Sequence, residues 1–124
     1  LTRIRNGIQA KHSNVDMPVS RMKTEIAKLL HKEGYIENYD VIEHAGLPYK
    51  LLRIYIKYDE KGRSAISGIQ RISTPGRRVY VNHKNIPKSL DGLGITIITT
   101  SRGLFTDREA KRNNIGGEVV AKVW

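Results

Sequence analysis

Residues 95–103 read Ile95-Thr96-Ile97-Ile98-Thr99-Thr100-Ser101-Arg102-Gly103, and the chain changes character within them. The first four are β-branched and mostly apolar, the signature of a buried strand. Each of the next three carries a hydroxyl that can donate and accept a hydrogen bond. Arg102 adds a planar fork of donors, and Gly103 permits positive φ and close backbone approach. Such groups suit ribose and phosphate. They equally suit a polar strand end running into the helix start at Thr106.

Outward from this stretch the C-terminal half reads as mainly β. Thr106-Asp107-Arg108-Glu109 has capping-box spacing for one short helix, which Asn113-Asn114 can end, and Gly116-Gly117 precedes a last strand over residues 118–124. On the other side, Gly92-Leu93-Gly94 leads into the apolar strand, and residues 84–90 read as an irregular or single-turn connection interrupted by Pro87. Residues 64–72 and 78–81 read as strands joined by a tight turn at Ser73-Thr74-Pro75-Gly76.

The N-terminal half reads helix, strand, helix, hairpin. Leu1, Ile4 and Ile8 recur at helical spacing, as in a chain that opens inside a helix with a few residues in front of it. Val15, Met17 and Val19 then alternate beside Pro18, which confines that strand to a sheet edge. Ser20 can cap a helix with an apolar stripe at Met22, Ile26, Leu29 and Leu30 that ends before Gly34. Strands over residues 35–43 and 50–58 flank a turn at Ala45-Gly46-Leu47-Pro48. The charged turn Asp59-Glu60-Lys61-Gly62 separates the halves. The fold class is therefore α+β, with an N-terminal α-β-α-β-β subdomain over residues 1–62 and a mostly β subdomain with one short helix over 63–124.

With 124 residues, the chain buries roughly 65% of the surface its unfolded form exposes, enough for a core without staples. It has no cysteine, which excludes disulfides and thiolate metal sites. No apolar run approaches membrane-spanning length, and the first residues lack the apolar segment of a signal peptide. The formal net charge is +10, and it is uneven: 11 basic and 8 acidic residues up to Gly62, then 11 basic and 4 acidic. Seven of the later cations are arginines, the better partners for phosphate and stacked bases. A polyanion is the expected partner, not a membrane, since no basic amphipathic helix with large apolar residues opposite is evident.

Ser73-Thr74-Pro75-Gly76-Arg77-Arg78-Val79-Tyr80 reads as a rigid turn presenting Arg77 and Arg78 to phosphates, with Tyr80 as a stacking face for an unpaired base. The same residues fit a solvated hairpin tip with Tyr80 in the core. Other chemistries find little support. His12, His31, His44 and His83 are scattered without metal-ligand spacing. Gly92-x-Gly94 lacks a third glycine and precedes a strand, and Ser101 has no nucleophile elbow around it. We expect no cofactor, no metal and no enzyme activity, while charge alone leaves open a DNA-binding or nucleoid-type basic protein.

The chain also resembles a known family. Gly92-Leu93-Gly94-Ile95-Thr96-Ile97-Ile98-Thr99-Thr100-Ser101-Arg102-Gly103-Leu104-Phe105-Thr106-Asp107-Arg108-Glu109-Ala110 and Gly116-Gly117-Glu118-Val119-Val120-Ala121-Lys122-Val123-Trp124 are similar to ribosomal protein eight of the small subunit, bacterial type. The likeness continues through Arg71-Ile72-Ser73-Thr74-Pro75-Gly76-Arg77-Arg78-Val79-Tyr80-Val81 and back to Thr2-Arg3-Ile4-Arg5-Asn6, so it covers essentially the whole chain. Thr99 stands where the family usually has serine, which keeps a hydroxyl, and the family usually begins several residues earlier with Met.

The resemblance implies a structural protein that binds the central domain of small-subunit (16S) ribosomal RNA early in assembly. It places Thr99, Thr100 and Ser101 against the minor groove of an irregular RNA stem, helped by the region of Tyr80 and Glu118; the adjoining Arg102 and Gly103 are candidates from their own chemistry. Arg3, Arg5 and Asn6 on the first helix would touch a neighbouring RNA segment. Other small-subunit ribosomal proteins are implied neighbours, and the messenger of its own operon, which family members repress, is an implied further partner. The implied location is the ribosome, in the cytoplasm or in an organelle. A-form RNA exposes 2′-hydroxyls in a wide, shallow minor groove that short hydroxyl side chains and bare backbone can reach.

Overall fold

A computed structural model describes residues 1–86 and 94–124. The chain groups into two compact units, Leu1–Ile66 and Ser67–Trp124. Among the described residues, no helix is long and apolar enough to cross a membrane.

The first unit runs α1 (Thr2–Gln9), β1 (Asn14–Pro18), α2 (Arg21–Lys32), β2 (Ile36–Ile42) and β3 (Leu51–Ile56). Its antiparallel sheet has the order β1-β3-β2, so β1 lies at an edge, where Pro18 costs no ladder bond. Period-two alternation buries Leu52, Ile54 and Ile56 of the central strand on one face. The helices pack on that sheet, α1 against β1 and β3 and α2 against β2 and β3. Ser20 caps α2, its hydroxyl accepting from Lys23 N at 3.1 Å. The expected apolar stripe is corrected at one end: Ala27, Leu29 and Leu30 are buried, but Met22 in the first turn is exposed.

On the opposite sheet face, Asp16 and Arg53 stand directly across from each other in register. The guanidinium donates to both carboxylate oxygens, at 2.8 Å from Nε and 3.0 Å from Nη2. This fork-to-fork pair holds the Asp16 carboxyl below the usual carboxylate range, chiefly through the hydrogen bonds from Arg53 and secondarily through its charge.

The second unit holds β4 (Ile69–Arg71), β5 (Tyr80–Val81), β6 (Ile95–Thr100), β7 (Gly103–Thr106), α3 (Asp107–Arg112) and β8 (Gly117–Val123). The sheet order is β4-β8-β6-β7, with β5 also paired to β8. Ile86, Ile98 and Ala110 form a buried cluster with Val81, Phe105 and Ile115 against it, which seats α3 on the sheet. Each large aliphatic group so enclosed contributes about 1.5–3 kcal/mol relative to exposure.

Two expectations are corrected here. The segment after Gly103 is not a direct run into a helix: Leu104 and Phe105 form β7, so residues 101–102 are the turn of a hairpin. The strands expected over 64–72 and 78–81 shrink to three and two residues. They pair with opposite ends of β8, not with each other. The cause is local. The buried Ser73 accepts from Val79 N at 2.9 Å, closing the neck of the Pro75-Gly76 turn with a side chain. The connection expected over residues 84–90 lies partly, and Gly92-Leu93 wholly, outside the described residues.

The helix start at Thr106 is as the spacing predicts. Thr106 Oγ1 accepts from Glu109 N at 3.2 Å, and the Glu109 carboxylate reaches back to Thr106 N, completing the capping box. Asp107 beside it is buried and accepts from Thr96 N at 3.3 Å, which ties α3 to β6.

Candidate nucleic-acid interface

β8 is the strand that gathers the candidate residues. Its N-terminal half passes between β5 and β6, so Tyr80 faces Glu118, Glu118 faces Thr99, and Thr99 faces Leu104 on β7. Directly opposed residues share a sheet face. With neighbouring strands about 4.8 Å apart, this row spans about 14 Å. The next residues along, Val81, Ile98 and Phe105, face the α3 side and its core. Tyr80, Glu118, Thr99 and Leu104 therefore occupy the other side of the sheet.

Tyr80 is 69% exposed, which removes the core reading of that ring. Glu118 is less accessible, its side chain 17% exposed, and it accepts from Arg78 Nη1 at 3.2 Å. A carboxylate amid so many cations here positions a guanidinium beside the row. Arg77 stands one residue earlier, at the mouth of the turn, where it exchanges two backbone hydrogen bonds with Thr74 at 2.9 and 3.0 Å and leaves an exposed side chain.

The three hydroxyls that look alike in sequence have different occupations. Thr100 Oγ1 donates to Gly103 O at 2.8 Å and accepts from Arg102 N at 3.1 Å, so it builds the turn from within. Ser101 at the turn tip is exposed and Thr99 half-buried, and neither hydroxyl is bonded to another described group. Gly103 takes φ +114°, a backbone that side-chain-bearing residues rarely adopt, and so closes the hairpin. Arg102 is exposed at the same tip.

A residue that the sequence did not mark for this role is Gly117. A Cβ built there would lie 2.1 Å from Thr99 O and 3.0 Å from Thr99 C. The absent side chain lets β8 approach the backbone that carries the hydroxyls. Gly-Gly before a strand was the available signal, but only the pairing partner tells which backbone it accommodates.

Arg3, Arg5 and Asn6 lie on α1 in the first unit, all exposed. Arg3 Nη1 donates to Asp16 O at 2.6 Å, which fixes that guanidinium beside β1. Ile4 and Gly7 form the buried side of the helix, leaving these polar residues on its outer surface.

The sequence model of the ribosomal protein S8 family matches residues 1–124. Proteins named small ribosomal subunit protein uS8 from Koribacter versatilis and Clostridioides difficile are each 49% identical over 124 residues, which is all of this chain and 92% of theirs. Its counterpart from Halothermothrix orenii is 51% identical with the same coverage. Identity at this level, extending through both units and every strand of the row, leaves one assignment: the chain belongs to the ribosomal protein S8 family.

Proposed function

We propose that this structural protein of the small ribosomal subunit, which is not an enzyme, binds the central domain of small-subunit ribosomal RNA through the subdomain over residues 63–124. Ser101 and Thr99 read the sugar edge of an RNA minor groove, and Tyr80 offers its ring to an unpaired base. Arg77, Arg78 and Arg102 supply phosphate attraction. Arg3, Arg5 and Asn6 make a secondary contact. The observation that carries this reading is the row Tyr80-Glu118-Thr99 beside the exposed Ser101 hydroxyl, on the sheet side away from α3.

The division of labour follows from the chemistry. Guanidiniums attract any polyanion, whereas a short hydroxyl on a tight turn reaches sugar and base edges where the groove is wide, shallow and lined with 2′-hydroxyls, as in the minor groove of A-form RNA. Neutralising about 6–10 phosphates predicts an affinity loss of about 10³–10⁵ between low and moderately high salt. A messenger that reproduces the same stem would compete for the same residues, which is the physical basis for repression of the protein's own operon.

Nuclease footprinting of small-subunit ribosomal RNA tests the proposal. Protection of one irregular stem in the central domain is the expected result, and a duplex DNA of the same sequence should bind far more weakly. Equal affinity for the DNA would instead support a general basic nucleic-acid binder. Protection spread evenly over the RNA would remove the specific role of the hydroxyls.

A further inference from the structure

The outer face of α3 collects cations that the RNA row does not use. Asp107 and Ala110 are buried on the side of the helix that meets the sheet, while Arg108, Lys111 and Arg112 are exposed. Arg108 and Arg112 stand four residues apart, which sets one above the other on the face turned away from the sheet, with about 5–6 Å between their Cβ atoms. The side chains of Lys111 and Arg112 bond to no other described residue.

By sequence alone, Asp107 and Glu109 balance two of these three charges. The fold takes both carboxylates away from the outer face. Asp107 turns inward and accepts from Thr96 N at 3.3 Å. Glu109 reaches back over the cap, its Oε1 accepting from Thr106 Oγ1 at 3.2 Å. The remaining carboxylate among the described residues of this unit, Glu118, lies on the other side of the sheet and holds Arg78. Lys111 and Arg112 suit the C-terminal end of the helix dipole, but Arg108 in the first turn opposes it, and like charges at this spacing disfavour the helix. A phosphate set against Arg108 and Arg112 removes that repulsion.

Placement in the fold narrows the partner further. α3 packs through Ala110 on Ile98, whose side chain leaves β6 on the side opposite to that of Thr99. The cations are thus separated from the row Tyr80-Glu118-Thr99 by the sheet and by the helix, itself about 10–12 Å across. A stem seated on the row is convex and does not reach around to the outer face of α3, so phosphates there belong to another segment. An acidic protein segment has the same sign, but protein interfaces are held by buried apolar anchors, and among the described residues none of the exposed large hydrophobic side chains lies on α3. A phosphate backbone needs only the charge.

We propose that α3, through Arg108, Lys111 and Arg112, holds the phosphate backbone of a second RNA segment, distinct from the stem on the row, so that the second unit bridges two parts of the RNA. This rests on the reading that a stem occupies the row.

The test measures affinity for two RNAs, a fragment carrying only the stem that nuclease footprinting protects and the whole central domain. In the Arg108→Gln, Lys111→Gln, Arg112→Gln variant, binding to the stem fragment should stay within about twofold of the parent, whereas binding to the whole domain falls about 10–100-fold and its slope against log salt falls by about two to three units. Arg112→Gln alone, which touches neither the cap nor the core, should lower that slope by about one unit and stands in if the triple variant melts early. The chain has no cysteine, so an iron chelate attached through Asn113→Cys cleaves RNA only from the end of α3, and its cuts should fall outside the protected stem. No loss on either RNA, equal losses on both, or cuts confined to the stem overturns the bridge; the first is the result if α3 meets an acidic protein segment instead. With stem binding by the parent intact, such failures count against α3 alone. A parent chain that protects no stem overturns the functional reading and the bridge together.

Discussion

Thr100 and Ser101 are adjacent hydroxyls, and the structure predicts opposite consequences for removing them. Thr100→Val keeps the β-branched shape but deletes a donor to Gly103 O and an acceptor for Arg102 N. Both partners lie at a solvent-facing turn where water can replace the lost bonds, so the expected cost is the net value of an ordinary hydrogen bond, about 0.5–1.5 kcal/mol. For a chain of this size, at about 3–6 °C per kcal/mol, that lowers the thermal midpoint by about 2–9 °C. Well below the midpoint the protein remains folded, and RNA affinity should change by less than about twofold.

Ser101→Ala deletes a hydroxyl with no bond to another described group. The thermal midpoint should move by less than about 1 °C, while affinity for the ribosomal RNA stem falls by about 1–2 kcal/mol, or about 5–30-fold, because a polar RNA group is left unpaired in the contact. Calorimetry of both variants and titration against one RNA fragment at fixed salt measure the four quantities. The reasoning is refuted by the reverse pattern: Ser101→Ala that melts early with normal affinity when folded, or Thr100→Val that melts normally and binds weakly.

Gly117→Ala should cost about 1–3 kcal/mol in thermal unfolding, because its new Cβ would meet the Thr99 backbone, which cannot swing aside; Gly76→Ala, with open space and no positive φ, should stay within about 0.5 kcal/mol of the parent. Arg77→Ala should reduce the slope of log affinity against log salt by about one unit. Arg78→Ala should reduce it by less, since Glu118 already offsets that charge; equal slopes would show that the ion pair does not matter on RNA. The Asp16 pKa lies below its unfolded value, so the pair with Arg53 stabilises the fold fully above the unfolded pKa and is lost as pH falls through the folded one. Melting curves should therefore lose less stability on acidification from about pH 5 in Asp16→Asn than in the parent, and parallel acid limbs would contradict this.

Periodicity and caps in the sequence determined most of the local structure. Leu52, Ile54 and Ile56 alternate as a half-covered strand must, Ser20 and the Thr106/Glu109 pair mark helix starts, and Pro18 marks an edge strand. The surplus of arginine after Gly62 and the hydroxyl run at 99–101 were also legible, because charge and functional-group chemistry need no fold to be counted. What only the tertiary structure decided is who stands beside whom. The pairing of both short strands with β8, the occupation of Thr100 inside its turn, the service of Gly117 to Thr99, and the exposure of Tyr80 all depend on partners distant in the chain. A strand pattern specifies which side chains alternate, but non-local hydrogen bonding selects the neighbouring strand, and with it which of two similar hydroxyls remains available to a ligand.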